Sequence, residues 1–207
     1  MKRIVLVLGV TLSIVLCASC SSTNSNVRVQ AEQVSVSGVS IAIIGDVIQT
    51  SSQGNGRIFT LHHSAQEILA IARNVAALYG FVVVDPVSAD YIIDFNQAVS
   101  DGGACIEGTD SVELDLSYSI SVLTFGAFPA TGVHCMVVTA ELSANFSDEP
   151  QLMGEFVSNK GIVEVYAGAN EIVNYKRTVQ RKDEARGLEF SIGALLTEMI
   201  NEGAFEP

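Results

Sequence analysis

Alternating and helically spaced apolar positions divide this chain into elements. Val34-Ser35-Val36-Ser37 alternates, and beyond Gly38 the residues Val39, Ile41 and Ile43 continue on one side, with Ile44 and Val47 following. This predicts a first, largely buried strand. Ser51-Ser52-Gln53-Gly54-Asn55-Gly56 is a turn-rich break, and Arg57 to Leu61 a short second strand. Ser64 followed three residues later by Glu67 is a capping box, and Ile68, Ala72, Val75 and Tyr79 then recur at helical spacing up to Gly80. A helix over 64–79 follows. Phe81 to Val84 and Ala89 to Phe95 read as strands, separated by Asp85-Pro86.

Further along, the most regular alternation is at Val112, Leu114, Leu116, Tyr118, Ile120 and Val122. It resumes at Met136, Val138, Ala140, Leu142, Ala144 and Phe146, with polar residues on the other parity. Two such arms predict a long hairpin over about 112–146 with one apolar face. Met153 to Phe156 and Ile162 to Val165 read as two strands around a turn at Ser158-Asn159-Lys160-Gly161. The span 170–182 fits a helix or a loop. Leu188, Ile192, Leu195, Leu196, Met199 and Ile200 form a helical stripe closed by Gly203. The expected fold is α+β. A mainly antiparallel sheet carries the long hairpin, and helices at about 64–79 and 184–202 cover one face.

The first twenty residues obey a different rule. Lys2-Arg3 precedes an apolar run from Ile4 to Leu16, which ends in small residues. This is the layout of a secretory signal, and the run falls short of the roughly 20 residues a spanning helix needs. Leu16-Cys17-Ala18-Ser19-Cys20 resembles the lipobox of bacterial lipoproteins, where small residues precede a cysteine that receives lipid and becomes the mature N-terminus. The resemblance implies lipidation at Cys20. The position where that family usually carries Leu is Cys17 here. Cys17 itself fits poorly as the acceptor, because Val15 and Leu16 would take the small-residue places. Ser21, rather than Asp, then implies the outer membrane, facing the periplasm. The expected organisation is a signal at 1–19, a flexible polar tether at 20–33 and one α+β domain at 34–207.

Charge narrows the partners. The chain carries −12 at pH 7, and −14 once Lys2 and Arg3 leave with the signal. Nucleic acid and an anionic lipid surface are thereby disfavoured as partners, since both demand a basic face. Apolar residues make up 48% and charged residues 16%, which a chain this long can use to build one core. Two cysteines remain after the signal and anchor, Cys105 and Cys135. Outside the cytoplasm such a pair is most simply a disulfide, whose long loop contributes roughly 3–5 kcal/mol in the chain-entropy model. His134 beside Cys135 invites a metal reading, but no paired Cys or His spacing supports a zinc site.

Candidate chemistry is sparse. His62-His63 could bind metal or sense pH, but neighbouring extended residues diverge, and the pair reads as a solvated loop. Asp85, Asp90 and Asp94 lack a third group or a glycine-rich phosphate loop and read as strand-edge polarity. Lys176, Arg177, Arg181, Lys182 and Arg186 hold most of the mature positive charge. They are a candidate docking patch, though the interleaved Asp183 and Glu184 suit a solvated face. The nucleophile-elbow, zincin and phosphate-loop patterns do not occur, and no cofactor is expected. Gly80-Phe81-Val82-Val83-Val84 with Ala89-Asp90-Tyr91-Ile92-Ile93 resembles accessory lipoproteins of envelope machines. The expectation is a non-catalytic accessory or assembly subunit, held on the membrane by lipid and joined to an envelope protein. The alternatives are a subunit of an oligomeric β-barrel pore, built on the hairpin, and an envelope hydrolase.

Overall fold

In the computed structural model, residues 24–27, 36–52, 58–101, 118–125, 127–146, 149–167, 175 and 179–205 are described. Eight strands form one sheet: β1 (Asn24–Val27), β2 (Ser40–Ile44), β3 (Ile48–Ser52), β4 (Ile58–Phe59), β5 (Val82–Val83), β6 (Tyr91–Asp101), β7 (Ala130–Ala144) and β8 (Gln151–Ala167). Two helices, α1 (Ala65–Leu78) and α2 (Arg181–Asn201), pack against it and each other. The sheet order is β1-β8-β7-β6-β2-β5. The long pairings β6–β7, β7–β8 and β1–β8 are antiparallel, whereas β2 runs parallel to both β5 and β6. The α+β class and the mainly antiparallel sheet are as expected.

α1 forms where its caps predict. Ser64 is extended and accepts the Glu67 N–H, while Glu67 accepts the Ser64 N–H at 2.8 Å. Gly80 follows with φ +90°, and a Cβ there would sit 2.0 Å from the Val36 carbonyl oxygen. Its apolar stripe buries Ile68, Leu69, Ala72, Val75 and Ala76. α2 buries Leu188, Ile192, Leu195, Leu196 and Met199 completely. Each such side chain contributes about 1.5–3 kcal/mol.

The β2–β3 line breaks at Gly45, opposite the register shift between Phe95 and Gln97 of β6. Gly45 has φ +140°, and a Cβ would meet the Phe95 carbonyl oxygen at 2.0 Å, so only glycine fits. The bulge changes the inward parity of β6 from Tyr91, Ile93 and Phe95 to Ala98 and Ser100.

Three expectations need correction. The hairpin over 112–146 is not present as predicted. Residues 112–117 lie outside the described residues, 118–123 are helical, and β7 pairs instead with β6 and β8. A strand has two edges, and those of β7 are both taken. Alternation marks a half-buried surface but does not choose its partner. The long hairpin of this fold is β7–β8 (130–167). Second, Ser158 to Gly161 is not a turn but the middle of β8. Gly161 is there because α2 crosses so closely: a Cβ would lie 2.0 Å from the Gly187 carbonyl oxygen. Third, Asn24–Val27, expected within a flexible tether, form β1, paired along Val163 to Tyr166. The remaining tether and signal residues lie outside the described residues.

Candidate functional site

The adjacent His62 and His63 and the sequence-distant His134 gather where α1 and α2 begin. Their centre is Glu184, in the first turn of α2 and fully buried. One carboxylate oxygen accepts the His62 N–H at 3.0 Å and the Tyr175 hydroxyl at 2.6 Å. The other accepts the His63 N–H at 3.0 Å and faces His63 Nδ1 at 2.6 Å. Because an ionised carboxylate only accepts, Nδ1 carries the proton. His62 Nε2 donates to the Val179 carbonyl at 3.0 Å. The His62 ring stacks on Tyr175 with centroids 5.8 Å apart, and His134 meets the same ring edge-on at 5.1 Å.

A second, more exposed link runs alongside. Arg181 donates to Glu67 of the α1 capping box and to the His62 carbonyl. Each helix therefore supplies an acid that serves the other's start. Glu184 takes the N–H groups just ahead of α1, and Glu67 takes the guanidinium of α2's first residue. The Ser64 N–H, then its hydroxyl, hold Glu67 below the ordinary carboxylate value. Burial alone would raise the Glu184 carboxyl. Hydrogen bonds from the His63 ring, the His62 N–H and Tyr175 outweigh it and leave Glu184 below its ordinary value. Burial, then the charge of Glu184, push the Tyr175 hydroxyl far above its ordinary value.

This arrangement is saturated. Four donors occupy the two carboxylate oxygens, Tyr175 is 0% exposed, and His63 is 7% exposed. A general base needs a free lone pair within reach of a substrate proton. Glu184 has spent its acceptors inside the chain. The cluster is a structural joint that ties the start of α1 to that of α2. Ser191, also fully buried, plays a smaller similar part: its hydroxyl lies 2.6 Å from the Met136 carbonyl and 2.9 Å from that of Ser158, at the β7–β8 register shift.

The expected sites fare unequally. His63 is buried, not solvated, and His62 is half-buried. Asp183 and Glu184, read as a solvated face, are 1% and 0% exposed. The signal for Glu184 was present: stepping back four residues from Leu188 along the apolar stripe lands on it. Arg181 and Lys182 are exposed on α2's first turn, but Arg181 is engaged with Glu67. Lys176 and Arg177 lie outside the described residues. Asp90 ties β2 to β6, accepting the Ser40 hydroxyl at 2.6 Å. Asp85 precedes a single turn at Pro86–Ser88. Asp94 lines a cavity of about 430 Å³ with Ile44, Gly45, Asp46 and Asn96. Cys135 is fully buried and disulfide-bonded, and Cys105 and Cys20 lie outside the described residues. Among the described residues, no three His, Cys, Asp or Glu side chains are grouped to hold a metal ion.

No family model matches the chain, and no curated protein does. A crystal structure of a Xanthomonas campestris protein described under the family model DUF330 is similar over 84% of this chain and 90% of its own, at 13% identity and a TM-score of 0.38. A likeness that distant carries no argument about function.

Proposed function

We propose that this protein is an exported lipoprotein, anchored through Cys20 to the outer membrane and facing the periplasm. There it serves as a non-catalytic accessory or assembly subunit of an envelope complex. The observation that carries the reading is the pattern from Lys2 to Cys20 with its cysteine after small residues. The disulfide at Cys135 supports it, because disulfides persist in oxidising compartments. The described part adds a second support: β1 begins four residues after Cys20, so an anchor there would hold the sheet close to its membrane. Among the described residues no helix is long and apolar enough to cross a membrane. The non-catalytic part of the reading rests on the closed Glu184 joint, the most chemically dense cluster described.

Cys20→Ala should move the protein from the membrane to the soluble fraction, and the intact mass of the native protein should begin at Cys20 with lipid attached. Membrane retention of Cys20→Ala equal to that of the native chain would sink the anchor.

A further inference from the structure

The last stretch before β7 reverses the usual surface rule. Residues 118–123 are helical, and the end of that helix and the turn after it project large apolar side chains into solvent. Phe125 is 94% exposed, Leu123 78%, Phe128 62% and Val122 52%. Phe125 has φ 52°, a left-handed conformation that a bulky residue seldom adopts, so the backbone carries strain where the ring points outward. Between Asp115 and Glu141 there is no Asp, Glu, Lys or Arg, in a chain of net charge −12.

The segment also makes several of its backbone hydrogen bonds internally. The Thr124 N–H and hydroxyl both donate to the Ile120 carbonyl, at 3.0 and 2.7 Å. The Phe125 N–H donates to the Val122 carbonyl, and the Ala127 N–H to that of Thr124. The Phe128 N–H reaches the Thr124 hydroxyl oxygen at 3.4 Å. These bonds lower the cost of taking the turn out of water, although the buried Ser121 hydroxyl has no hydrogen-bond partner among the described residues.

Sheet register decides what lies beside it. Thr131, three residues past Phe128, pairs with Tyr166 of β8, and Tyr166 pairs with Asn24 of β1. Two strand spacings, about 10 Å, separate Asn24 from Thr131. Cys20 is four residues before Asn24 and so within about 14 Å of it. The apolar turn thus lies at the end of the sheet where β1 begins, four residues along the chain from the residue proposed to carry lipid. The other end, with Ala144 and Tyr91, lies the length of β7 away, roughly 40 Å.

We propose that residues 118–128 insert into the phospholipid surface that holds the N-terminal lipid, with Leu123, Phe125 and Phe128 as the wedge. This makes a second membrane contact that sets the domain's orientation, and it rests on lipidation at Cys20. The occupant is a bilayer rather than a protein because the turn is uncharged, partly bonded to itself, and at the end of the sheet where β1 emerges from the proposed anchor.

The chain has no Trp, so a single indole reports one position. Full-length, lipid-bearing protein with Phe125→Trp is bound to zwitterionic phosphatidylethanolamine and phosphatidylcholine vesicles containing dibrominated acyl chains, then floated. Val87→Trp is the control, since Val87 is 96% exposed in the turn beside Asp90, at the far end of the sheet. Emission from position 125 should fall about twofold or more in brominated vesicles, because insertion reaches the acyl boundary, while position 87 stays unchanged. Flotation with no quenching at 125 overturns the insertion and leaves the anchor standing. Equal quenching at both positions overturns the oriented contact. Shielding of position 125 from both bromine and aqueous iodide means that protein covers it, and also overturns the proposal. Failure to float removes the anchor and the proposal together.

Discussion

At the joint between α1 and α2 a carboxylate, a tyrosine hydroxyl and a histidine are buried; in the turn at 122–128 four large apolar side chains are exposed. Both regions invert the common rule that charge faces water and apolar surface faces the core. Only one is balanced within the chain. Glu184 is buried with every acceptor filled by named donors, so its desolvation is offset locally. Leu123, Phe125 and Phe128 are exposed, with no such offset among the described residues. The first region therefore bears on stability, and the second on what the protein meets outside itself.

Substitutions can break this comparison at either pole. The largest effect is expected from Glu184→Ala, which strands the Tyr175 hydroxyl, the His63 ring N–H and two backbone N–H groups. Removing one partner of a buried charged cluster costs about 3–5 kcal/mol, readable as a lower urea midpoint at an unchanged slope. A loss under about 1 kcal/mol would mean that the joint relaxes or hydrates and is not a staple.

Tyr175→Phe removes one hydrogen bond to a charged group and should cost about 1.5–3 kcal/mol near neutral pH. Its pH dependence sharpens the test. The tyrosine is raised above its ordinary 10.0, so its contribution is whole below pH 10 and is lost as pH rises toward the folded value. Tyr175→Phe should therefore flatten the alkaline limb of stability. Glu184 is lowered from 4.5, so its contribution is whole above pH 4.5 and drains as pH falls through the folded value. Glu184→Gln should flatten the acid limb. Parallel pH profiles for native and variant proteins would contradict both assignments.

The smallest effect on stability is expected from Leu123→Ser with Phe125→Ser, within about 0.5 kcal/mol because both side chains are exposed. A large loss would show that the turn is packed in solution and would erase the contrast between the two regions.

Much of the fold was legible along the chain. The capping box of α1, the stripe of α2 and the alternation of β6 and β7 are local, and each emerged near its expected place. The pairing of β7 was not legible, because alternation at 112–122 looked like a partner while β6 and β8 won both edges over longer separations. Gly161 looked like a turn, because nothing local announces that a helix backbone will cross it. The His62-His63 pair looked solvated, because Glu184 lies more than a hundred residues away.

The amino-acid sequence by itself determined the local periods, the helix ends, the amphipathic faces and the signal-like start, since each depends on residues within a turn or two of one another. Only the tertiary structure decided which acids were buried and which apolar residues stayed out. Burial depends on the partner that long-range packing brings: Glu184 meets four donors, whereas the Phe125 ring stays exposed among the described residues.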